Sequence, residues 1–259
     1  WELKGPSDTW DAQLEEYYRK QPVFALVSGL GRESWRPIHE FSERRELPCI
    51  FPQTDLPVVD GQNVYTVYLS EGVNLEARAL GKFLLDAAEP GRVVQIFDHD
   101  AAAVTAARAF RVAMAAGQAD LQDQALKTSP DSAYWMRLAH ESPGATLVLW
   151  LGPDSLKQAR SLTAAGSPFK AVYLSSALTG TRYDALMPDP AVRVRLIYPQ
   201  DPPSVRDARL AVVKQWMRNN RLELIDEQLQ FNTYLAATVT GMLVMHSKDT
   251  YSRDFLLER

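Results

Sequence analysis

Apolar runs and helix-spaced segments alternate along almost the whole chain. Eight runs are rich in apolar residues, and several carry them at consecutive positions, which is typical of strands covered on both faces. These predicted strands lie at 23–28, 47–51, 64–70, 92–98, 121–127, 146–152, 170–176 and 192–198. Apolar positions three and four residues apart predict the helices between them. The predicted helices lie at 7–20, 33–45, 72–88, 101–116, 131–141, 154–165, 204–220 and 226–247.

The repeated alternation of strand and helix predicts an α/β fold with doubly wound parallel sheets. Two proline-containing segments, 51–63 and 198–204, predict stiff, irregular connections. If the chain crosses between two lobes at these places, the first lobe comprises 1–66 plus 199–259, and 67–198 form a second, inserted lobe. The sequence therefore predicts two lobes, each with its own parallel sheet.

Composition and charge narrow the class of protein. The chain has 259 residues, of which 46% are hydrophobic, and a net charge of −4. Because acids and bases are interspersed and no run of five Lys or Arg occurs, the sequence argues against a nucleic-acid or anionic-membrane partner. The apolar stretch 234–245 is shorter than the roughly 20 residues that span a bilayer. It predicts a buried helix and a protein that does not itself span a membrane.

The segment GLGRES, residues 29–34, lies between a predicted strand and a predicted helix, where backbone amides can hold an anion. Three interpretations stay open. The segment resembles a dinucleotide-binding loop, although Ser34 replaces its third glycine and no P-loop lysine follows. The glycines can instead make a tight turn. In the third interpretation, the amides and the Ser34 hydroxyl bind a carboxylate or another small polar group.

Other candidate chemistry is weakly supported. The sequence DHD, 98–100, favours a helix N-cap at Asp100 over a metal site. His39 and His140 lack the HExxH spacing and are predicted on solvated helix faces. The single cysteine, Cys49, lies in an apolar strand and is predicted to be a buried, inert thiol. With no GxSxG motif and no catalytic carboxylate pair, the sequence predicts no catalytic residue, metal or cofactor, and hence no enzyme.

Polar and aromatic residues follow several predicted strands at their C-terminal ends, where open α/β sheets bind ligands. Each of them alone is more often structural, so only the whole set predicts a ligand site. The predicted ligand-binding residues are Gly29, Ser34, Gln53, Thr54, Trp150, Gly152, Ser175, Ser176 and Tyr198.

Eight sequence motifs follow one another between about residues 20 and 250, and their order indicates a resemblance to a known family. They are FALVSGLGRES, LPCIFPQTD, VYTVYLSEGVNLEARALGKFL, RVVQIFDHDAAAVTAARAF, TLVLWLGPDSLKQARSLTAAG, KAVYLSSAL, VRLIYPQDPP and LQFNTYLAATVTGMLVM. In this order the chain resembles the type I periplasmic binding proteins, specifically the solute-binding components of ABC-type uptake systems for branched-chain amino acids and amides.

The resemblance implies two lobes that close over a small polar ligand by hinge motion, with crossovers near 62–68 and 198–204. It also implies a periplasmic or extracellular protein whose partner is a membrane permease, or a receptor or redox protein of the envelope. The family begins with two further strand–helix units and continues past the last segment seen here. The resemblance therefore implies a first lobe that is incomplete, with truncation at both ends.

The ligand chemistry departs from the family in the second lobe. Aromatic and acidic groups that hold an ammonium in the family are replaced by AAAV at 101–104 and by SSAL at 175–178. In the first lobe, Ser34 and Thr54 match positions that would hydrogen-bond a carboxylate. The resemblance thus implies that the carboxylate end of the site is the better preserved.

The leading hypothesis is a non-enzymatic solute-binding or sensor protein for an amino acid, amide or carboxylate-like ligand, serving ABC-type uptake. One alternative is an α/β enzyme that holds a nucleotide cofactor at GLGRES. Another is a degenerate binding-fold module that mediates protein assembly. Binding of NAD would favour the first alternative, and a metabolite screen without any stabilisation would favour the second.

Overall fold

The computed structural model of this protein describes residues 1–31, 34–59, 63–86, 91–126, 130–159, 162, 167–180, 193–198, 203–246 and 252–258, with the backbone alone at 203, 204 and 209. Each predicted strand contains one observed strand. The strands are β1 Leu26–Val27, β2 Cys49–Ile50, β3 Thr66–Val67, β4 Val93–Phe97, β5 Leu121–Ala125, β6 Thr146–Trp150, β7 Ala171–Ser175 and β8 Val194–Ile197.

The predicted helices are present as well. The helices are α1 Trp10–Lys20, α2 Arg36–Arg44, α3 Val73–Asp86, α4 Ala101–Ala115, α5 Ser132–Glu141, α6 Pro153–Gln158, α7 Ser176–Thr179, α8 Pro203–Asn219, α9 Glu227–His246 and α10 Arg253–Leu257. A 3-10 turn, Ser7–Thr9, precedes α1. The short helix α7 lies just past a predicted strand and was not expected. Asp100 caps α4 by accepting the N–H groups of Ala102 and Ala103 at 3.0 Å, as predicted.

The chain divides into two compact units, Trp1–Glu71 with Asp201–Arg259, and Gly72–Gln200. The first unit contains a parallel sheet with strand order β1-β2-β3. The second contains a parallel sheet with order β5-β4-β6-β7-β8. The α/β fold with parallel sheets is therefore confirmed. The chain passes from one unit to the other between residues 71 and 72 and between residues 200 and 201. The sequence predicts these boundaries between 66 and 67 and between 198 and 199.

The core of the first unit lies between its sheet and the helices α1 and α2. It is formed by Leu14, Trp35, Ile38, Phe41, Leu47 and Cys49. Cys49 is buried, as predicted. The prediction of a solvated His39 is wrong, because this side chain is 6% exposed and its Nδ1 lies 3.2 Å from the Tyr68 hydroxyl. The hydroxyl gives the ring a polar partner, which allows it to be buried. His140 is exposed, as predicted.

One hydrophobic core of the second unit lies on the face of its five-stranded sheet where β4, β6 and β7 meet α5 and α6. The other face is covered as well, and Phe110 and Met114 of α4 are fully buried there. On α3, Gly81 packs directly against α4. A Cβ atom added to Gly81 would lie 2.5 Å from the Cβ of Ala113, so the two helices approach too closely for any side chain there. Small residues at this crossing therefore set the distance between α3 and α4.

Helix α9 is apolar but not buried. Among its described residues only Ala236 is buried, whereas Met242 and Met245 are 45% and 72% exposed. The prediction of a buried helix over 234–245 is therefore wrong about burial, although right about the helix. Apolar residues occur all round this helix, whereas the described elements that contact it, chiefly β1 and α8, cover only part of its surface.

Candidate functional site

The ends of β1 and β2 form a distorted ledge in the first unit. Ser28 and Phe51 follow these strands with φ of 53° and 51°, in the left-handed region that residues with a side chain seldom adopt. Beyond them the two segments pair again, since Gln53 N–H donates to the Gly29 carbonyl at 2.7 Å and Gly31 N–H donates to the Gln53 carbonyl at 3.0 Å. Backbone conformations of this kind concentrate at functional sites. We refer to residues 28–31 and 51–54 as the first-unit ledge.

Helix α9 supplies two polar side chains to this ledge. The hydroxyls of Thr233 and Ser28 are 3.0 Å apart, and Asn232 Nδ2 donates to Gln53 Oε1 at 2.8 Å. Neither Asn232 nor Thr233 was predicted as a site residue. The available signal was the adjacent polar pair Asn232 and Thr233 just before the apolar stretch 234–245. Their position in the sequence does not indicate which strand end they contact.

The side-chain amides of Gln53, Asn232 and Gln228 form a chain of hydrogen bonds, which we call the relay. The Phe51 carbonyl fixes which amide donates and which accepts in each bond. Gln53 Nε2 donates to the Phe51 carbonyl at 3.0 Å, and a carbonyl can only accept. Gln53 Oε1 must then accept from Asn232, whose own Oδ1 accepts from Gln228 Nε2 at 2.9 Å. The oxygens of Gln53 and Asn232 both accept within the relay, and each NH₂ group, which has two hydrogens, uses one of them in its relay bond. The relay thus favours groups that accept hydrogen bonds.

The two glycines of GLGRES are explained by packing. A Cβ atom on Gly29 or on Gly31 would lie 2.8 or 2.9 Å from the indole ring of Trp35, which is itself buried. The ring therefore covers the glycine faces that a nucleotide loop would leave for a pyrophosphate. Residues 32 and 33 lie outside the described part of the chain. Helix α2 begins at Arg36, later than the predicted residue 33.

The predicted hydroxyls of the first unit cap local turns. Ser34 Oγ accepts from the N–H of Arg36 at 3.3 Å, and Thr54 Oγ1 accepts from the N–H of Leu56 at 3.2 Å. Ser34 is exposed and Thr54 is half-buried. Because a serine hydroxyl has one hydrogen and two lone pairs, the oxygen of Ser34 can accept from Arg36 while its hydrogen is donated elsewhere.

Two of the predicted second-unit contacts, Trp150 and Gly152, lie at the end of β6. Asp98 accepts from Gly152 N–H at 2.9 Å and from Ser155 Oγ at 2.8 Å, which ties β4 to the start of α6. The amide of Gly152 is therefore already paired. The prediction that Trp150 faces a ligand needs correction, since its side chain is fully buried and its indole N–H donates to Gln95 Oε1 at 2.9 Å. A buried indole N–H needs a hydrogen-bond partner, and Gln95 supplies one, so the position of Trp150 is explained without a ligand.

A buried carboxylate that was not predicted lies at the end of β7. Glu76 of α3 is fully buried and accepts from Ser175 Oγ, from Ser176 Oγ and, at 3.0 Å, from Ala177 N–H. Burial raises the pKa of this carboxyl above 4.5, and the hydrogen bonds from the two serines and from Ala177 offset part of that rise. The sequence does contain a signal for this buried carboxylate, because Glu76 lies on the same face of α3 as the apolar residues Val73 and Leu80.

Of the remaining predicted residues, Ser175 is fully buried and Ser176 is half-buried. Ser175 Oγ also accepts from the N–H of Leu178 at 3.2 Å, and because the residue is fully buried, the prediction that it contacts a ligand needs correction as well. Tyr198 follows β8 and is half-buried. The structure thus leaves Gly152, Ser176 and Tyr198 as the predicted second-unit residues with some exposed surface.

Within the described residues, no group of three His, Cys, Asp or Glu side chains could hold a metal ion. None of the helices in the described ranges has the length and apolar character that crossing a membrane requires. His99, the middle residue of DHD, lies with its Nε2 2.6 Å from the Leu126 carbonyl. The imidazole therefore contacts the backbone at this strand end.

No protein-family model matches the sequence, and no curated protein is significantly similar to it. Solved structures do match. A leucine-binding protein from Thermotoga maritima has a TM-score of 0.66 and 13% identity, over 98% of this chain and 73% of its own. A solute-binding protein of an ABC transporter from Rhodopseudomonas palustris, in complex with benzoate, has a TM-score of 0.68 and 15% identity, over 98% and 71%.

A third match is a solute-binding protein of an ABC transporter from R. palustris BisB5, in complex with 3,4-dihydroxybenzoic acid. Its TM-score is 0.67 at 14% identity, over 97% of this chain and 70% of its own. At these identities the likeness concerns the fold alone. In each case nearly all of this chain is matched, but only about 70% of the other chain. The protein therefore has the fold of the type I periplasmic binding proteins, with a first lobe that is incomplete relative to these structures.

Proposed function

We propose that this protein is a non-enzymatic solute-binding or sensor protein that holds a small polar ligand with a carboxylate-like end. The fold supports a binding role, because its solved neighbours are solute-binding proteins whose names or complexes include leucine, benzoate and dihydroxybenzoate. As in ABC-type uptake systems, it would act in the periplasm or outside the cell and deliver its ligand to a membrane permease. A receptor or redox protein of the envelope is the alternative partner.

The observation that carries this proposal is the direction of the amide relay at the first-unit ledge. A ligand at this ledge would meet the spare N–H groups of Gln53 and Asn232 and the hydroxyl of Ser34, all of which can donate. Donors in this number suit a carboxylate, which only accepts and can take several hydrogen bonds. Gly29 and Thr54 complete the proposed ledge contacts.

The second unit would contribute Gly152, Ser176 and Tyr198, whereas Trp150 and Ser175 are left out because both are fully buried. In this proposal the two units close on the ligand by rotation at the crossovers near 62–68 and 198–204, of which residues 62 and 199–202 lie outside the described part of the chain. Closure would bring donors of the ledge and the second-unit residues to one ligand.

One observation favours the assembly alternative. The apolar surface of α9, with Met242, Val244 and Met245 exposed, resembles the patches that mark protein–protein contacts. By contrast, Trp35 against Gly29 and Gly31 speaks against a nucleotide cofactor at GLGRES.

Calorimetric titration with leucine, benzoate and 3,4-dihydroxybenzoate, together with a thermal-shift screen of amino acids, amides and carboxylates, tests the proposal. We expect saturable binding of at least one carboxylate, weakened in Ser34→Ala. Binding of NAD in its place would support the enzyme alternative. If none of these compounds stabilises the protein, the assembly alternative takes precedence.

A further inference from the structure

The segment that enters β3 is fastened to helix α2 by one carboxyl group. Glu43, near the end of α2, accepts from three consecutive backbone N–H groups, those of Val64, Tyr65 and Thr66, at 3.1, 3.0 and 3.0 Å. A backbone N–H can only donate, so the carboxyl oxygens accept in every one of these bonds. Because one side chain of α2 satisfies three neighbouring backbone groups, this segment is held in place relative to the helix.

A second side chain of α2 holds the end of the same segment. His39 lies one helical turn before Glu43, and residues four apart lie on the same side of a helix. Its Nδ1 lies 3.2 Å from the Tyr68 hydroxyl, and the two rings are stacked with their centroids 6.2 Å apart. Between these two contacts, β3 pairs with β2. Residues 64–68 are thus attached to α2 and β2, both of which belong to the first unit.

The second unit begins a few residues later. The chain passes into it between residues 71 and 72, and α3 begins at Val73. Gly72 has a φ of 58°, in the left-handed region that glycine adopts without a steric cost. Its carbonyl accepts from the N–H of Leu75 at 3.1 Å, within the first turn of α3. Four residues, 69–72, therefore separate the attached segment from the first helix of the second unit.

We propose that Glu43 and His39 are positioning residues that keep 64–68 within the first unit, so that the two units rotate about residues 69–72. This inference rests on the proposed function, in which the units close on a ligand. It moves the pivot from the crossover expected near 62–68 to the four residues that follow it. A few residues at the end of an element are enough to absorb a hinge rotation.

A pivot at this place leaves the first-unit ledge intact. Phe51, which belongs to the ledge, donates its N–H to the Val67 carbonyl at 2.8 Å. Rotation within 64–68 would break this bond and disturb the ledge, whereas rotation after Tyr68 would not. The proposed ligand contacts of the first unit can therefore keep their geometry while the second unit moves.

The first measurement needs no ligand and follows hydrogen exchange of the backbone amides of 64–66 by NMR. In Glu43→Ala we expect these amides to exchange at least about tenfold faster than in the wild type, because they lose their acceptor. Glu43→Gln keeps one acceptor oxygen and should give a smaller increase, which can be measured even if Glu43→Ala does not fold. Glu40→Ala removes an exposed carboxylate from the same helix and should leave the rates unchanged. Unchanged exchange in both Glu43 variants would overturn the role of Glu43.

The second measurement locates the pivot with pairs of spin labels and pulsed electron paramagnetic resonance distances. One label is attached at Arg19 of the first unit, and the other at Val67, at Arg108 or at Met136, all of which are exposed. Cys49 is buried and is not labelled in the folded protein. When leucine, benzoate or 3,4-dihydroxybenzoate binds, we expect the distances from 19 to 108 and 136 to shift and the distance from 19 to 67 to stay the same.

Each other outcome is decisive. If the distance from 19 to 67 shifts together with the other two, the pivot lies before β3 and the inference is wrong. Binding without a shift in any distance would also overturn it, while leaving the binding role standing. If the protein binds none of the three compounds, the proposed function fails and the pivot fails with it. Amide exchange in the Glu43 variants still decides in that case whether this carboxyl group holds residues 64–66.

Discussion

Asn232 and Gln53 are joined by a hydrogen bond of 2.8 Å although 179 residues separate them along the chain. The bond connects α9 to the end of β2, within one unit. Its direction follows from the Phe51 carbonyl, which accepts from the same glutamine. Two segments at opposite ends of the sequence are thus held together by side chains that also form the candidate ligand site.

The relay direction can be tested by Asn232→Asp, which keeps the size of the side chain but removes its donor. The new carboxylate would face Gln53 Oε1, so two acceptors would oppose each other, and we expect the free energy of unfolding to fall by about 2 kcal/mol. Asn232→Ala deletes the bond without repulsion and should lower it by about 1 kcal/mol. Urea unfolding measures both. An Asn232→Asp variant as stable as the wild type would contradict the assigned direction.

Ser34→Ala should separate binding from stability. The side chain is exposed, and its one described bond, from Arg36 N–H, is 3.3 Å long, so we expect the free energy of unfolding to change by less than about 0.5 kcal/mol. Affinity for a carboxylate ligand should fall about fivefold, because one donor is lost. Ser132→Ala, on an exposed position of α5, is the control that should alter neither quantity. Unchanged affinity would remove Ser34 from the site.

Glu76 should make the stability of the fold depend on pH. Its folded pKa is raised above the unfolded value near 4.5 by burial, so the folded chain holds the proton more tightly. The resulting stabilisation is complete below the unfolded pKa and is lost as the pH rises through the folded pKa.

The pH dependence is measured by urea unfolding between about pH 4 and about pH 8. Relative to Glu76→Gln, the wild-type protein should lose stability as the pH rises in this interval. Glu141→Gln, which removes an exposed carboxylate of the same unit, should retain the wild-type dependence. Parallel curves for the wild type and Glu76→Gln would show that this carboxyl is not perturbed by folding.

Two glycine substitutions in helices should have opposite effects. Gly81→Ala places a methyl group 2.5 Å from the Ala113 Cβ, so α3 and α4 must separate, and we expect a loss of about 1–3 kcal/mol. Gly241→Ala meets no atom within 4 Å on α9 and should gain up to about 1 kcal/mol from helix propensity. Thermal unfolding of both variants measures the difference. Equal effects would contradict the close approach of α3 to α4.

The thiol of Cys49 should be unreactive in the folded protein. Burial in β2 raises its pKa to about 12, which leaves almost no thiolate at neutral pH, and the side chain is only 1% exposed. A thiol-specific chromogenic reagent should therefore label the protein only after denaturant is added. Rapid labelling under native conditions would show that the strand opens readily or that the thiol is exposed.

Much of the architecture could be predicted from the sequence, because the signals are local. Apolar runs such as 92–98 and 146–152 carry the signature of strands buried on both faces, and they became β4 and β6. The N-cap at Asp100 was predictable for the same reason, since the cap and its partners lie within three residues. The ordered motifs indicated the fold that the solved structures share.

Burial was harder to predict than secondary structure. The composition of α9 suggests a buried helix, yet its exposure depends on which elements cover it. Trp150 lies near the C-terminal end of a predicted strand, where open sheets bind ligands, but its indole turns into the core toward Gln95. Both cases depend on packing between elements that are far apart in sequence.

The amino-acid sequence by itself determined the order of strands and helices, the parallel sheets and the serine- and glutamine-bearing strand ends, because each depends on neighbouring residues. Only the tertiary structure decided that Trp35 covers Gly29, that Asn232 orients Gln53 and that Glu76 contacts Ser175 and Ser176. A side chain's hydrogen-bond partner is chosen by three-dimensional proximity, and no spacing along the chain carries that information.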